Sequence, residues 1–194
     1  MLASIHPLGE RGRGNRFWVT ATAYLGGSLV GGAIAGALLG AVGSLFVDFP
    51  VGARSVLFAA AAALALLLDA RGVRPRSWHR QVNEDWLAEY RGWVYGFGFG
   101  LQLGTGFVTI VTTASIYLAW LGAFVLGSAE LGALVGLGFG LARALPLIAG
   151  SRVHTPHAVR ARYLRWARRE GWSLGAVVAV EACAIVLVLL AVAG

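Results

Sequence analysis

Two ionisable residues, Arg143 and Glu181, lie inside segments that are otherwise apolar, FGLARALPL and VVAVEACAIV. An ionisable side chain near the centre of a membrane costs at least about 2.5 to 3.5 kcal/mol, so both residues are candidate functional groups. At about 1.5 Å per residue, Arg143 lies about 9 Å and Glu181 about 13 Å from the ends of their segments. Three interpretations remain open: an ion pair that holds two helices in register, a transport or proton-linked pair, and two charges that reach the membrane surface separately.

A second group of polar residues lies in GFGFGLQLGTGFVTIVTTAS, residues 96–115, where five glycines precede a run of hydroxyl side chains. Glycine is unfavourable inside a helix, so this composition indicates either a helix break or close helix contact. If the helix is broken, the hydroxyl groups can line a polar path; otherwise such groups usually bond to carbonyls of their own helix. The candidate solute-lining or helix-break residues are Gln102, Gly104, Thr105, Gly106, Thr109, Thr112, Thr113 and Ser115.

Catalytic chemistry is not predicted. His154 and His157 have a spacing that a helix can bring together, but no acidic or cysteine ligand lies near them in the sequence. The sequence has no nucleophile motif, phosphate-binding loop or paired carboxylates, and its single cysteine is Cys183. We therefore predict that the chain is not an enzyme and has no cofactor and no metal site.

The composition is that of a membrane protein. Hydrophobic residues make up 58% of the 194 residues and charged residues 13%, against about 25% charged in a soluble domain. The lipid bilayer is therefore the predicted main partner. The net charge of +7 comes from arginines grouped in separate connections, whereas nucleic-acid binding requires a basic stripe on one surface, so that function is not predicted.

The arginines occur in every second connection between apolar segments. This positive-inside pattern predicts a multi-pass protein of the cell (inner) membrane, with a cytoplasmic N-terminus and an extracytoplasmic C-terminus. Residues 1–16 are predicted to form a cytoplasmic arm, because they lack the apolar stretch of a signal peptide.

Apolar segments predict an all-α integral membrane bundle of five helices, forming one transmembrane domain over residues 17–194. The third segment has about 33 residues, or about 50 Å of helix against a hydrocarbon core of about 30 Å. We therefore expect a break at Gly104, Thr105 and Gly106. The predicted helices cover residues 17–46, 53–69, 93–125, 130–149 and 173–193.

Glycines recur every four residues in the first and fourth predicted helices. Small residues at this spacing let helix backbones approach closely. The first ladder lies in predicted helix 1, which pairs with helix 2, and the second lies in predicted helix 4, which pairs with helix 5. The two pairs cross the membrane in opposite directions. We therefore predict an inverted repeat around the third helix. The ladders consist of Gly32, Gly36 and Gly40, and of Gly132, Gly136 and Gly140.

The segments WVYGFGFGLQLGTGFVTIVTTASIYLAWLGAF and GALVGLGFGLARALPLIAG resemble the second half of the cytochrome c biogenesis transmembrane family, the DsbD/CcdA-like carriers of thiol reductant. The glycine-rich start of the third segment and Leu145-Pro146 carry this resemblance, which covers most of residues 17–193. The family has six helices in two inverted triplets and a redox cysteine in each broken helix. This chain lacks the first helix and both cysteines, and has Gly106 to Thr109 at the second cysteine's position. The resemblance implies the fold and not the chemistry, because thiol exchange needs two thiols.

Two functions follow as expectations. In the first, the chain is a permease-like protein or membrane subunit that handles a small solute near the broken third helix. In the second, it is an accessory membrane component of a thiol-disulfide or cytochrome c maturation relay. A partner membrane protein would then supply the missing helix and the cysteines.

Overall fold

The computed structural model describes residues 5–46, 48–73, 85–106, 114–149 and 151. The predicted fifth helix, 173–193, lies outside these residues. The helices of the described part are α1 (Pro7–Gly12), α2 (Phe17–Ser44), α3 (Val51–Ala70), α4 (Trp86–Glu89), α5 (Gly92–Thr105), α6 (Ser115–Leu126) and α7 (Ala129–Ala149).

Three of these helices, α2, α3 and α7, are long and apolar enough to cross a membrane. They correspond to the first, second and fourth predicted segments, with ends that differ by no more than two residues. The prediction of a helical, membrane-embedded protein is confirmed at this level. Its orientation in the membrane and its inverted repeat remain predictions.

The predicted third helix is divided into α5 and α6, which have 14 and 12 residues. Each is about 20 Å long, too short to cross a hydrocarbon core of about 30 Å. The α5 helix ends where Gly106 adopts a left-handed conformation, with φ of 73°, and donates its N–H to the Leu103 carbonyl. Glycine adopts this conformation without the penalty that a Cβ atom imposes. We call this interruption between α5 and α6 the helix break.

The α2 helix lies between α5 and α7 and also contacts α6. It runs parallel to α5, because Thr20 lies against Gly96 and Tyr24 against Gly100. It runs antiparallel to α7, where positions further along α2 meet positions earlier in α7. Among the described helices, α2 and not the broken third segment is therefore the central element.

The two glycine ladders pack directly against each other. A Cβ atom on Gly36 would overlap the Gly132 carbonyl oxygen, and one on Gly136 would overlap the Gly32 carbonyl oxygen. At the ends of the ladders, Gly40 lies against the backbone of Ser128 and Gly140 against that of Ser28. The Ser28 hydroxyl also donates to the Gly140 carbonyl at 2.8 Å. The ladders thus bring two helix backbones into direct contact.

This packing makes neighbouring glycines of α7 unequal. Gly136 faces the α2 backbone, whereas a Cβ atom on Gly138 would have no neighbour within 4 Å. We expect Gly136→Ala to lower the free energy of unfolding by about 1–3 kcal/mol, because it forces the helices apart. The matched control, Gly138→Ala, should leave the free energy of unfolding unchanged or raise it. Denaturant unfolding in mixed micelles measures both, and equal effects would contradict the ladder contact.

Candidate functional site

The helix break lies beside the middle of α2. Gly104, near the end of α5, packs against Ser28, and Phe124, near the end of α6, packs against Gly43. Ser28 and Gly43 are fifteen residues apart on α2, whereas Gly104 and Phe124 are twenty residues apart on the broken segment. A straight, uninterrupted helix beside α2 would advance by equal numbers of residues. Ser28 is the twelfth of the 28 residues of α2, so the end of α5 lies beside the middle of an apolar helix about 42 Å long.

Asp69, at the end of α3, caps the beginning of α6. The Ala114 N–H donates to the two carboxylate oxygens of Asp69 at 2.9 and 3.0 Å, and the Asp69 side chain is buried. Ala114 is the N-cap residue of α6 and has no side-chain acceptor of its own. A carboxylate at this end of a helix satisfies a free N–H and stabilises the positive end of the helix dipole. Asp69 thus provides from another helix what α6 lacks locally.

The Asp69 carboxylate retains acceptor capacity. A carboxylate offers about four lone-pair positions, and within the described ranges Ala114 N–H is its hydrogen-bond donor. The salt bridge that those ranges contain is elsewhere, between Arg13 and Glu10. A buried carboxylate is unfavourable unless a cation or further donors reach it. The site is therefore chemically suited to a cationic group that carries N–H donors.

Aromatic rings flank the same break. Trp120 of α6 and Phe139 of α7 have ring centroids 4.7 Å apart, and both rings would contact a Cβ atom on Gly106. The Arg143 guanidinium carbon lies 5.6 Å from the Phe139 ring centroid, within the range of a cation–π interaction. The two ends of the break thus differ. The Asp69 carboxylate of α3 lies at the Ala114 end, and Trp120 of α6 and Phe139 of α7 lie at the Gly106 end, with Arg143 beside Phe139 on α7.

Arg143 of the predicted ion pair is half-buried on α7, on the side of α7 that is near Tyr24. Tyr24 is buried, and its hydroxyl has no hydrogen-bond partner among the residues that the structure describes. Glu181 lies outside those residues, so its pairing with Arg143 remains a prediction.

The predicted break residues have different roles. Gly104 contacts the α2 backbone at Ser28, whereas Gly106 provides the left-handed end of α5. The Thr105 hydroxyl donates to the Gln102 carbonyl at 2.8 Å, as expected when a hydroxyl bonds to its own helix. Ser115 is the first residue of α6. Thr109, Thr112 and Thr113 lie outside the described residues.

A second polar cluster joins the predicted arm to the helices. Glu10 of α1 is fully buried and accepts from Arg13 at 2.6 Å, from Thr20 Oγ1 at 2.8 Å and from the Tyr95 hydroxyl at 2.5 Å. Burial alone would lower the pKa of Arg13, but hydrogen bonding and charge from Glu10, assisted by Tyr95, raise it above its ordinary value. The described part of the arm therefore packs on α2 and α5.

Sequence reasoning missed both Asp69 and Glu10. Asp69 had a weak signal, because it is the one carboxylate in the apolar helix VGARSVLFAAAAALALLLDA, but no local pattern connects it with Ala114. Glu10 lies in a polar segment and has no local signal of burial. Ala114, the partner of Asp69, is 45 residues away in the sequence, and Tyr95, one partner of Glu10, is 85 residues away.

The fold and the helix break define the class: a helical membrane protein that has one discontinuous segment among its described helices. No protein-family model matches the chain, and no solved structure matches it. The chain is similar to the methylamine utilization protein MauF of Paracoccus versutus, with 29% identity over 198 residues. That alignment covers 98% of the chain and 71% of MauF. The resemblance to the cytochrome c biogenesis family remains a prediction.

Capping by Asp69 predicts a difference between two substitutions. Asp69→Ala removes the acceptor and leaves the Ala114 N–H buried without its partner, which should lower the free energy of unfolding by about 1–3 kcal/mol. Asp69→Asn keeps an acceptor oxygen and should retain most of the stability. Unfolding in mixed micelles compares the two variants, and a loss for Asn as large as that for Ala would argue against capping.

Proposed function

We propose that the chain is a membrane subunit that handles a small organic cation, of the alkylammonium class, at the helix break. The observation that carries this proposal is the buried Asp69 carboxylate, whose hydrogen-bond donor within the described part of the chain is one backbone N–H. A protonated primary amine offers three N–H donors and a positive charge, which match the remaining capacity of the carboxylate.

The discontinuous segment supports handling of a solute. Transporters commonly form solute sites near the membrane midplane from helices that are interrupted there. The Asp69 carboxylate attracts a cation and repels an anion, and the positive end of α6 offsets part of both effects. The preference for a cation therefore comes from the lone-pair positions of Asp69 that the Ala114 N–H leaves open. The Trp120 and Phe139 rings, which pack on each other with centroids 4.7 Å apart, line the Gly106 end of the same break.

Arg143 opposes this binding, because its positive charge lies beside the Phe139 ring. The predicted pairing with Glu181 would reduce the repulsion. If the pair forms, Asp69 supplies the net attraction for the solute and Arg143 holds α7 in place. The proposed roles of the two charged residues are therefore different.

The likeness to MauF supports an amine as the solute class, since that protein is described as a methylamine utilization protein. The second candidate is an accessory membrane component of a thiol-disulfide or cytochrome c maturation relay. It is favoured by the contacts of α2, whose glycine positions from Gly27 to Gly43 lie against the backbones of α5, α6 and α7. Contacts this close leave no room for a solute between these backbones, as in a scaffold. A partner would then supply the cysteines of the relay.

Uptake of radiolabelled methylammonium into proteoliposomes tests the first candidate. The assay is run at mildly acidic pH, where the amine is protonated and crosses lipid slowly, with protein-free liposomes as the background. We expect Asp69→Asn to reduce uptake about tenfold or more, because a charge-assisted hydrogen bond is lost. Glu130→Gln is the matched control: Glu130 is an exposed carboxylate in the first turn of α7, and its loss should change uptake less than about twofold.

Uptake at the level of protein-free liposomes, or equal uptake by Asp69→Asn and wild type, would contradict a solute role at the break. Purification of the tagged protein in mild detergent then examines the second candidate. A stoichiometric partner with a membrane cysteine pair or a thioredoxin-like domain would support the accessory role. A protein that purifies alone or as a homo-oligomer would count against it.

A further inference from the structure

A cleft of about 340 Å³ opens where α2 and α5 begin side by side. Arg16 and Arg91 line it, together with Asn15, Thr20 and Trp93. Its volume is at the lower end of the range for ligand sites in proteins, about 300–1,000 Å³. This cleft, which we call the Arg16–Arg91 cleft, lies at the beginning of α2, whereas the helix break lies beside its middle.

The two arginines are available to a ligand. Both are exposed, each is the N-cap residue of its helix, and neither side chain makes a capping hydrogen bond. The carboxylate of the adjacent cluster, Glu10, is already bonded to Arg13, Thr20 and Tyr95. Within the described ranges, no carboxylate forms a salt bridge with Arg16 or Arg91. Both arginines line the same cleft, and a guanidinium group can make bidentate hydrogen bonds to a phosphate.

The backbone adds to this positive character. Because α2 and α5 are parallel, their N-terminal ends face the same side of the bundle, and Gly92 packs against Thr20 there. Neither helix has an acidic residue in its first turn. The first N–H groups of both helices therefore add partial positive charge to the charge of the two arginines.

The surroundings of the cleft are those of a membrane surface. Trp18 and Trp93, in the first turns of the two helices, are 59% and 55% exposed. Tryptophans and arginines together at the ends of apolar helices mark the level of the lipid head groups, on the predicted cytoplasmic side. A phosphate at this depth can enter the cleft without leaving the interface.

We propose that the Arg16–Arg91 cleft is a phosphate-binding site. Its ligand is a phosphate group of an anionic lipid head group or a free phosphate, and the arginines bind it in both cases. The proposal shares no residue with the helix break, so it stands or falls independently of the proposed solute.

The test uses the full chain in nanodiscs of phosphatidylcholine, with or without phosphatidylglycerol, and native mass spectrometry to count bound lipids. We expect the double variant Arg16→Gln/Arg91→Gln to bind phosphatidylglycerol at least about tenfold more weakly than wild type. The control Arg11→Gln/Arg71→Gln removes the same charge from two other exposed arginines and should change binding less than about twofold. Equal weakening in the two double variants would show general charge attraction and overturn the proposal.

Thermal unfolding in detergent with added inorganic phosphate or short-chain phosphatidylglycerol distinguishes the sources. A shift of the wild-type midpoint with phosphatidylglycerol alone supports a lipid site, and a shift with inorganic phosphate supports a site for the free ion. No shift with either ligand would overturn the proposal.

If the Gln variant does not fold, the variant Arg16→Lys/Arg91→Lys replaces it, because lysine keeps the charge but loses the bidentate geometry. This variant should bind phosphatidylglycerol several-fold more weakly than wild type. Binding equal to wild type would count against the site.

Discussion

Direct contact between helix backbones is the constraint on which the described structure depends. Along α2, from Gly27 to Gly43, positions without side chains face the backbones of α5, α6 and α7. In a lipid environment, where apolar side chains gain little by leaving the solvent, such close packing supplies much of the association between helices. It also fixes the relative heights of the helices, because a shift by one residue would bring a side chain against a carbonyl oxygen that now faces a glycine.

That fixed alignment determines where the polar groups meet. Contacts at Thr20 and Ser28 place the beginnings of α2 and α5 together and put the end of α5 beside the middle of α2. The Arg16–Arg91 cleft therefore lies at the beginning of α2, and the helix break lies beside the middle of the same helix. Asp69 reaches the second level from α3, which contacts α6. One well-packed helix thus aligns two groups of charged residues that have different surroundings.

The sequence allowed the apolar helices, the glycine ladders and the end of α5 near Gly106 to be predicted, because each has a local pattern. It did not reveal that the ladders of α2 and α7 face each other, since a period of four indicates a face but not its partner. Asp69 and Glu10 were missed because each has a hydrogen-bond partner in a distant part of the chain. Asp69 accepts from Ala114, 45 positions away, and Glu10 accepts from Tyr95, 85 positions away. Hydrogen bonds across such separations leave no periodicity in the sequence.

Capping of α6 by Asp69 also has a consequence for assembly during synthesis. The α5 and α6 helices are each too short to cross the bilayer, so neither is an independent unit of membrane insertion. The carboxylate that satisfies the first N–H of α6 belongs to a helix that the ribosome completes earlier. The cap of α6 is therefore already synthesised when α6 emerges, so α6 can dock on α3 without waiting for a later part of the chain.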